Sequence, residues 1–322
     1  MKRREFMAGL GGAAAWPLVA RAQQEKIWRI GYLQPGFLDS GPDAALFEAF
    51  KQQLSTLGYI EGKNLIIDKR AAEGKNDRLP ALANELVALH PNVIVAVATP
   101  AIAAVQRATS TIPIVMSPSG DPIGFGFVKS LAHPGGNITG LANMAGDFTP
   151  KALEILHTIV PDAKKIAVLM SSNPTHPPLY QVASNAAQVV GLSTVPIIAA
   201  TAADLDRAFQ EISKENCDAV FVLADPVRPS IVTLAAAARI PSMYQFSEYV
   251  EAGGLASYGP IVQSIFTRSA QYVDMIFKGA DPADLPVEQP TSFELVLNLK
   301  TAKSLGLSIP EAVILRANQV IE

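Results

Sequence analysis

A chain that performs covalent chemistry carries composed groups: a nucleophile beside its base, or ligands spaced for a metal. Here there is no G-x-S-x-G elbow, no G-x-x-x-x-G-K phosphate loop and no H-E-x-x-H zinc motif. The four histidines, His90, His133, His157 and His176, are scattered. His90 and His133 each precede a proline at a helix end, where capping is the expected role, and His157 falls on a helix surface. His176, within S-N-P-T-H-P-P, is the histidine best placed to reach a ligand. The single cysteine, Cys217, precedes the apolar run Ala219–Leu223 and reads as an inert core thiol. Gly124-Phe125-Gly126 begins a G-x-G-x-x-G pattern, but Lys129 stands at its third glycine and the preceding strand ends too early. No enzyme activity, metal or cofactor is therefore expected.

What remains suits binding rather than turnover. Thr99-Pro100-Ala101 joins an apolar strand to a helix whose first residue is proline. Free N–H groups and a hydroxyl there favour an anionic group such as a carboxylate; simple capping by Thr99 is the compatible plainer reading. Asp121 and Asp225 each precede proline just beyond a strand. Each could accept an ammonium or hydroxyls from a ligand, or close an Asx turn. Phe246, Glu248, Tyr249 and Tyr258 gather around later loops, either to stack on a ligand or to pack beneath the chain.

These residues need a frame, and the hydrophobic pattern supplies one. Short apolar runs at Trp28–Leu33, Val93–Ala98 and Ile114–Met116 alternate with helical patterns, such as the face Leu46, Phe47, Phe50, Leu54 and Leu57. The same alternation restarts after Gly140, with strands at Lys165–Met170, Thr194–Ile198, Ala219–Leu223 and Ser242–Tyr244. Thr149-Pro150 reads as the start of one helix and Thr201 with Asp204 as a capping box for another. The fold class is thus α/β, with two doubly wound, Rossmann-like parallel-sheet lobes joined by hinge strands. The first lobe is expected over residues 27–138 with about 260–290, the second over 142–255 with about 291–322, and the hinges near 137–141 and 255–260. Ligands of such sheets sit beyond the carboxyl ends of the strands. That rule selects Gln34–Gly36, Thr99–Ala101, Ser117–Asp121, Ser171–Asn173 and Ala224–Pro226.

A net charge of −3 without a long basic run argues against nucleic acid as a partner. Residues 1–22 read as an export signal: basic Lys2-Arg3-Arg4, an apolar Phe6–Val19 stretch and an A-x-A site at Ala20-Arg21-Ala22. The adjacent arginines resemble a twin-arginine signal, and an ordinary secretory signal is the alternative. Cleavage after Ala22 removes Lys2, Arg3, Arg4 and Arg21 against Glu5, taking the net charge from −3 to −6.

Three segments carry a family resemblance. They are G-D-P-I-G-F-G-F-V-K-S-L-A-H-P-G-G-N-I-T-G (120–140), Y-V-E-A-G-G-L-A-S-Y-G-P (249–260) and the long stretch from Lys278 to Pro310. The chain resembles the ABC-transporter substrate-binding proteins of the tryptophan/tyrosine-type uptake family. The resemblance implies a type I periplasmic-binding-protein architecture with a small-molecule solute in an interlobe cleft, a monomer in the periplasm and ABC permease subunits as partners. It places the cleft at Gln34, Thr99, Ser117, Asp121, Asn173 and Asp225. With the flanking residues, the candidate ligand set is Gln34, Thr99, Pro100, Ala101, Ser117, Asp121, Asn173, Asp225, Phe246, Glu248 and Tyr258. An amino acid, possibly aromatic, is the leading solute, with a nucleoside-like or aromatic acid solute second. An exported α/β enzyme is the competing function, and a transcription regulator would need a DNA-binding segment where the export signal stands.

Overall fold

The computed structural model describes residues 26–223, 225 and 228–322. The expected export signal and its cleavage site lie outside the described residues, as do Ala224, Pro226 and Val227. The first sheet is built from β1 (Trp28–Gln34), α1 (Gly41–Thr56), β2 (Leu65–Ala71), α2 (Leu79–Ala88), β3 (Val93–Ala96), α3 (Ala98–Ala108), β4 (Ile114–Ser119) and β5 (Ile138–Ala142). Its strands are parallel in the order β2-β1-β3-β4-β5. The second sheet follows with α4 (Ala145–Ile159), β6 (Lys165–Met170), α5 (His176–Val189), β7 (Ser193–Ile198), α6 (Leu205–Lys214) and β8 (Ala219–Val222). It continues through α7 (Ser230–Ala237), β9 (Ser242–Tyr244), α8 (Glu248–Glu251) and β10 (Ala256–Pro260). The chain closes with α9 (Val262–Phe277), β11 (Phe293–Asn298), α10 (Leu299–Leu305), α11 (Glu311–Ile314) and β12 (Gln319–Ile321). The second sheet runs β12-β11-β10-β9-β8-β6-β7.

The central strands β3 and β8 read Val-Ile-Val-Ala and Ala-Val-Phe-Val and are buried throughout. Helices cover both faces, so every position along these strands faces apolar groups and none needs to be polar. α9 belongs to the first sheet although it follows β10. Phe266, Ala270, Val273 and Phe277 share a core with Ile30, Phe50 and Val95. Phe277 stacks on Trp28 at 4.1 Å between ring centroids, and the Tyr59 hydroxyl donates to Asp274 Oδ1 at 2.9 Å. The segment after α9 then runs beside β5, where Glu288 N donates to Gly140 O and Ala142 N donates to Glu288 O. Arg268 on α9 holds Glu288 through Nε and Oε2 at 2.7 Å.

Several local expectations change. β11 pairs antiparallel with β10, so the second sheet is parallel-dominated rather than wholly parallel. α3 begins at Ala98, one residue before the expected cap, with Ala98 itself at φ 59°. Thr99 therefore sits inside the first turn, and its Oγ1 accepts from Gly120 N instead of capping its own helix. α4 begins at Ala145, four residues before Thr149. Pro150 therefore lies inside the helix, where it removes one backbone bond to the preceding turn, and the Thr149 hydroxyl donates to Ala145 O at 2.7 Å. Residues 122–126 form turns, so the partial glycine pattern opens no helix. The Thr201–Asp204 capping box is present as expected.

Gly140 shows how tightly β5 lies on β4. Its φ is +126°, and a Cβ there would fall 2.5 Å from Met116 O and 2.6 Å from Met116 N, both backbone atoms. Gly146, inside α4, has open space around its Cβ position. Gly140→Ala should lower unfolding free energy by about 2–4 kcal/mol, from backbone strain plus overpacking. Gly146→Ala should be neutral or stabilising by up to about 1 kcal/mol. Urea unfolding of both variants checks the contrast.

Candidate functional site

In the first sheet the strand order diverges at β1, whose neighbours are β2 and β3. In the second it diverges between β6 and β8. Loops from neighbouring strands splay apart at such points and leave a crevice at the carboxyl ends. Gln34 ends β1, Thr99 follows β3, Asn173 follows β6 and Asp225 follows β8. All four line one cavity between the sheets, with about 650 Å³ of empty volume including its mouth. The two crevices thus face each other.

One side of this cavity is polar. Asn173 Oδ1 accepts from Thr175 N at 3.1 Å and from the Thr175 hydroxyl at 2.9 Å, while its Nδ2 donates to Asp225 Oδ1 at 3.3 Å. Asn173 therefore spends its amide on holding the loop and aiming Asp225. Arg228 Nη2 lies 4.0 Å from Asp225 Oδ2, and Arg228 Nη1 donates to Ala199 O. Ala98 and Thr99 in the first turn of α3 also line the cavity; first-turn N–H groups have no partner within their own helix. Gln34 and Asn143 are 2% and 7% exposed, and Gln34 Oε1 and Asn143 Oδ1 have no hydrogen-bond partner within the chain. Leu46, Phe246, Val262 and Phe266 add apolar surface to the lining.

Three carboxylates line the cavity, Asp43, Asp225 and Glu248, and no lysine, arginine or histidine does so among the described residues. Asp43, in the first turn of α1, accepts from Phe37 N at 3.2 Å. A Cβ on Gly36 would fall 1.8 Å from Asp43 Oδ2, so only glycine lets this carboxylate lie against the loop. Burial pushes the Asp43 carboxyl up to about 6, against the lowering by Phe37 N and Gln34, with Asp225 adding repulsion. Burial likewise pushes Glu248 up to about 7, helped by Glu251, Glu294 and Asp43. Desolvation of the charged form dominates in both.

Six of the sequence-derived residues meet in this cavity: Gln34, Thr99, Asn173, Asp225, Phe246 and Glu248. Pro100 lines an adjoining cavity that shares Asp43, Ala98 and Asp225 with the first. Four others lie elsewhere and leave the candidate set. Ala101 is wholly buried in the core beneath α3. Ser117 is wholly buried and its Oγ accepts from Ser269 Oγ at 2.7 Å, tying β4 to α9. Asp121 is exposed and closes a turn by accepting from Gly124 N at 2.8 Å, the plainer of its two readings. Tyr258 stacks on Phe293 and lines a separate groove with Phe148 and Pro290. His176 is 1% exposed, and its Nδ1 accepts from Ser171 N, so it shapes the loop that carries Asn173. Cys217 is half-buried beside the second-sheet core, which pushes its thiol up. The polar lining residues missed are Asp43, Asn143 and Thr175, and the apolar ones include Leu46, Val262 and Phe266. Asn143 directly follows β5, so the strand-end rule extended to one more loop would have found it. Asp43, an acid in a helix's first turn, carries no sequence signal that sets it apart.

A family model for the ABC transporter substrate binding protein matches residues 40–321. The chain is 27% identical over 266 residues to a tyrosine-binding protein of Clostridioides difficile, covering 81% of this chain and 76% of that one. A crystal structure of a conserved domain protein from Vibrio cholerae superposes with TM-score 0.84 at 32% identity, over 92% of this chain and all of the other. The ABC domain in complex with L-Trp from Streptococcus pneumoniae superposes with TM-score 0.83 at 28% identity, over 92% of this chain and all of that one. The architecture is that of the type I periplasmic binding proteins.

The raised carboxyls have a stability consequence whose sign can be worked out. Asp43 and Glu248 hold their protons to about 6 and about 7 in the folded chain, against 3.8 and 4.5 for the free groups. Between those limits the native state binds more protons than the unfolded state, so stability falls as pH rises. The ligand-free protein should melt higher at pH 5 than at pH 8. Asp43→Asn with Glu248→Gln should flatten that slope, by on the order of a few kcal/mol across the window. Glu288, held low by Arg268, acts only at pH values below this window. Calorimetry at pH 5, 6, 7 and 8 on both proteins gives the comparison.

Proposed function

The chain belongs to the ABC transporter substrate-binding protein family, and on that premise we propose that it captures an L-amino acid with an aromatic side chain in the cavity between its sheets. The observation that carries this reading is the described lining of the cavity: three carboxylates and no basic residue, with Arg228 outside the lining at 4.0 Å from Asp225 Oδ2, a helix N-terminus at Thr99, and the apolar groups Leu46, Phe246, Val262 and Phe266. An α-ammonium answers the carboxylates, above all Asp225, which Asn173 holds in place. An α-carboxylate answers the first-turn N–H groups of α3 and the Thr99 hydroxyl, whose oxygen already accepts from Gly120 N and whose proton is free to donate. The ring takes the side formed by Leu46, Phe246, Val262 and Phe266. The names of two relatives, a tyrosine-binding protein and a domain bound to L-Trp, point to the same solute class.

The two sheets act as lobes that close on the solute, which is then passed to the permease. Among the described residues the chain crosses between the sheets three times: after β5 at Asn143–Met144, at Ile261 before α9, and over residues 289–292 before β11. Short crossings of this kind absorb a rotation while both cores stay intact. The basic, apolar start of the chain and its A-x-A site support export to the periplasm with cleavage after Ala22. No helix among the described residues is long and apolar enough to cross a membrane.

L-Trp, L-Tyr or L-Phe should raise the melting temperature, while indole-3-propionate, which lacks the ammonium, should not. Asp225→Asn should weaken L-Trp by about 2–5 kcal/mol, read by calorimetric titration. Stabilisation by sugars or aliphatic amino acids alone would sink the aromatic assignment. Closure has its own probe in Gly120, where a Cβ would sit 2.9 Å from Thr175 Cγ2 across the cleft. Gly120→Val should reduce L-Trp affinity at least about tenfold and abolish ligand-dependent compaction in X-ray scattering, with ligand-free stability within about 1 kcal/mol of the parent.

A further inference from the structure

Recognition of the ammonium and carboxylate at Asp225 and Thr99 leaves Oε2 of the Glu248 carboxyl without a partner. Glu248 lines the ligand cavity beside Leu46, Phe246, Val262 and Phe266. Leu46, Glu248 and Val262 also line a neighbouring cavity, together with Glu251 and Glu294. Asp43, Ala98 and Asp225 are shared instead with the cavity that holds Pro100 and Arg228. The ligand cavity therefore has two ends. The Asp225 end is polar and can take the backbone groups of an amino acid. The Leu46–Val262 end is apolar, and Glu248 is its acidic side chain.

Glu248 Oε2 is buried and has no hydrogen-bond partner within the chain. An acceptor in such a wall carries an uncompensated desolvation cost until a donor meets it. Its nearest charged neighbours, Glu251, Glu294 and Asp43, are all acids and offer it nothing. The ammonium of a bound amino acid is engaged at the other end. The remaining donor that a solute can bring to the apolar end is one on its ring. We propose that Glu248 is a specificity-determining residue that accepts a hydrogen bond from the indole N–H or phenol O–H of the solute, and so selects tryptophan and tyrosine over phenylalanine. This rests on the reading of the cavity as an aromatic amino acid site. A ring without a donor would bury against Oε2 and leave the acceptor unmet, whereas a ring with one offsets that cost. Sites built to hydrogen-bond a polar group discriminate strongly against analogues that lack it.

The test is calorimetric titration of the mature chain with L-Trp, L-Tyr, L-Phe and L-3-benzothienylalanine, which keeps the shape of tryptophan but has sulfur in place of the N–H. For the wild type, benzothienylalanine should bind at least about 100-fold more weakly than L-Trp, and L-Phe more weakly than L-Tyr by a similar factor. Glu248→Leu should bring L-Trp and benzothienylalanine within about threefold of each other, and Glu248→Gln, which keeps an acceptor oxygen, should retain at least about tenfold preference. Equal wild-type affinities for L-Trp and benzothienylalanine overturn the proposal whether or not either variant folds. An unchanged preference in Glu248→Leu also overturns it. Binding of none of the four overturns the reading of the cavity together with this one, and is distinguished by the absence of any heat.

Discussion

Three carboxylates share one cavity with no basic side chain in its described lining, and only Asp225 among them has a cation beside it, Arg228 at 4.0 Å. Like charges in a low-dielectric space repel and each loses its hydration, so such a site opposes its own folded state. The chain offsets part of this by holding protons on Asp43 and Glu248 to about 6 and about 7. The rest must come from the scaffold, which explains why the cavity's supports are rigid: wholly buried strands beneath it, and loops tied by Asn173, His176 and Thr99. A cation brought by the solute removes the repulsion that the free protein carries. The solute thereby contributes free energy that depends on its own charge and not only on buried area.

That dependence also links binding to motion. Asp43 and Glu248 lie in the first turns of helices packed on different sheets, and Asp225 and Asn173 follow strands of the second sheet while Gln34 ends one strand of the first and Thr99 follows another. A ligand shifts a conformational equilibrium only through its differential contacts with the two states. A zwitterion held at one end by the second sheet's Asp225 and at the other by the N-terminus of α3 makes its full set of contacts only when both sheets approach. Direct contacts across the mouth add little: Asn76 Nδ2 donates to Ser172 Oγ at 3.1 Å, both exposed. The absence of a side chain at Gly120 permits the approach without driving it.

Much of the fold was legible in the sequence because its signals are local. Apolar runs such as Val93–Ala96 and Ala219–Val222 mark central parallel strands, and Gly41-Pro42 and Thr201 with Asp204 mark helix starts. What was misread is where a tertiary partner overrides a local preference. Thr149-Pro150 looks like a helix start, yet Gln245 Nε2 donates to the Thr149 hydroxyl at 2.8 Å and α4 extends four residues further back. Thr99 looks like a cap, but Gly120 N claims its oxygen. The antiparallel pairing of β11 cannot be read from its own residues, since it follows from the chain's excursion through α9 to the first sheet and back.

The site was legible to a different degree for a geometric reason. Strand-end position predicts that a loop reaches the crevice, but not which of its residues faces inward. In Ser117–Asp121 the chain turns so that Pro118 and Gly120 line the cavity, while Ser117 points to Ser269 and Asp121 to its own turn. The polar residues with evident chemistry were thus spent on structure, and the residues facing the solute are the two with least chemistry to show. Asp43 is the converse case. Its acidity is ordinary for a first turn, and only the missing Cβ of Gly36, seven residues earlier in the chain's path through the loop, makes it part of a binding site. Function here is carried by what neighbours omit as much as by what the lining residues possess, and omission is invisible to a motif.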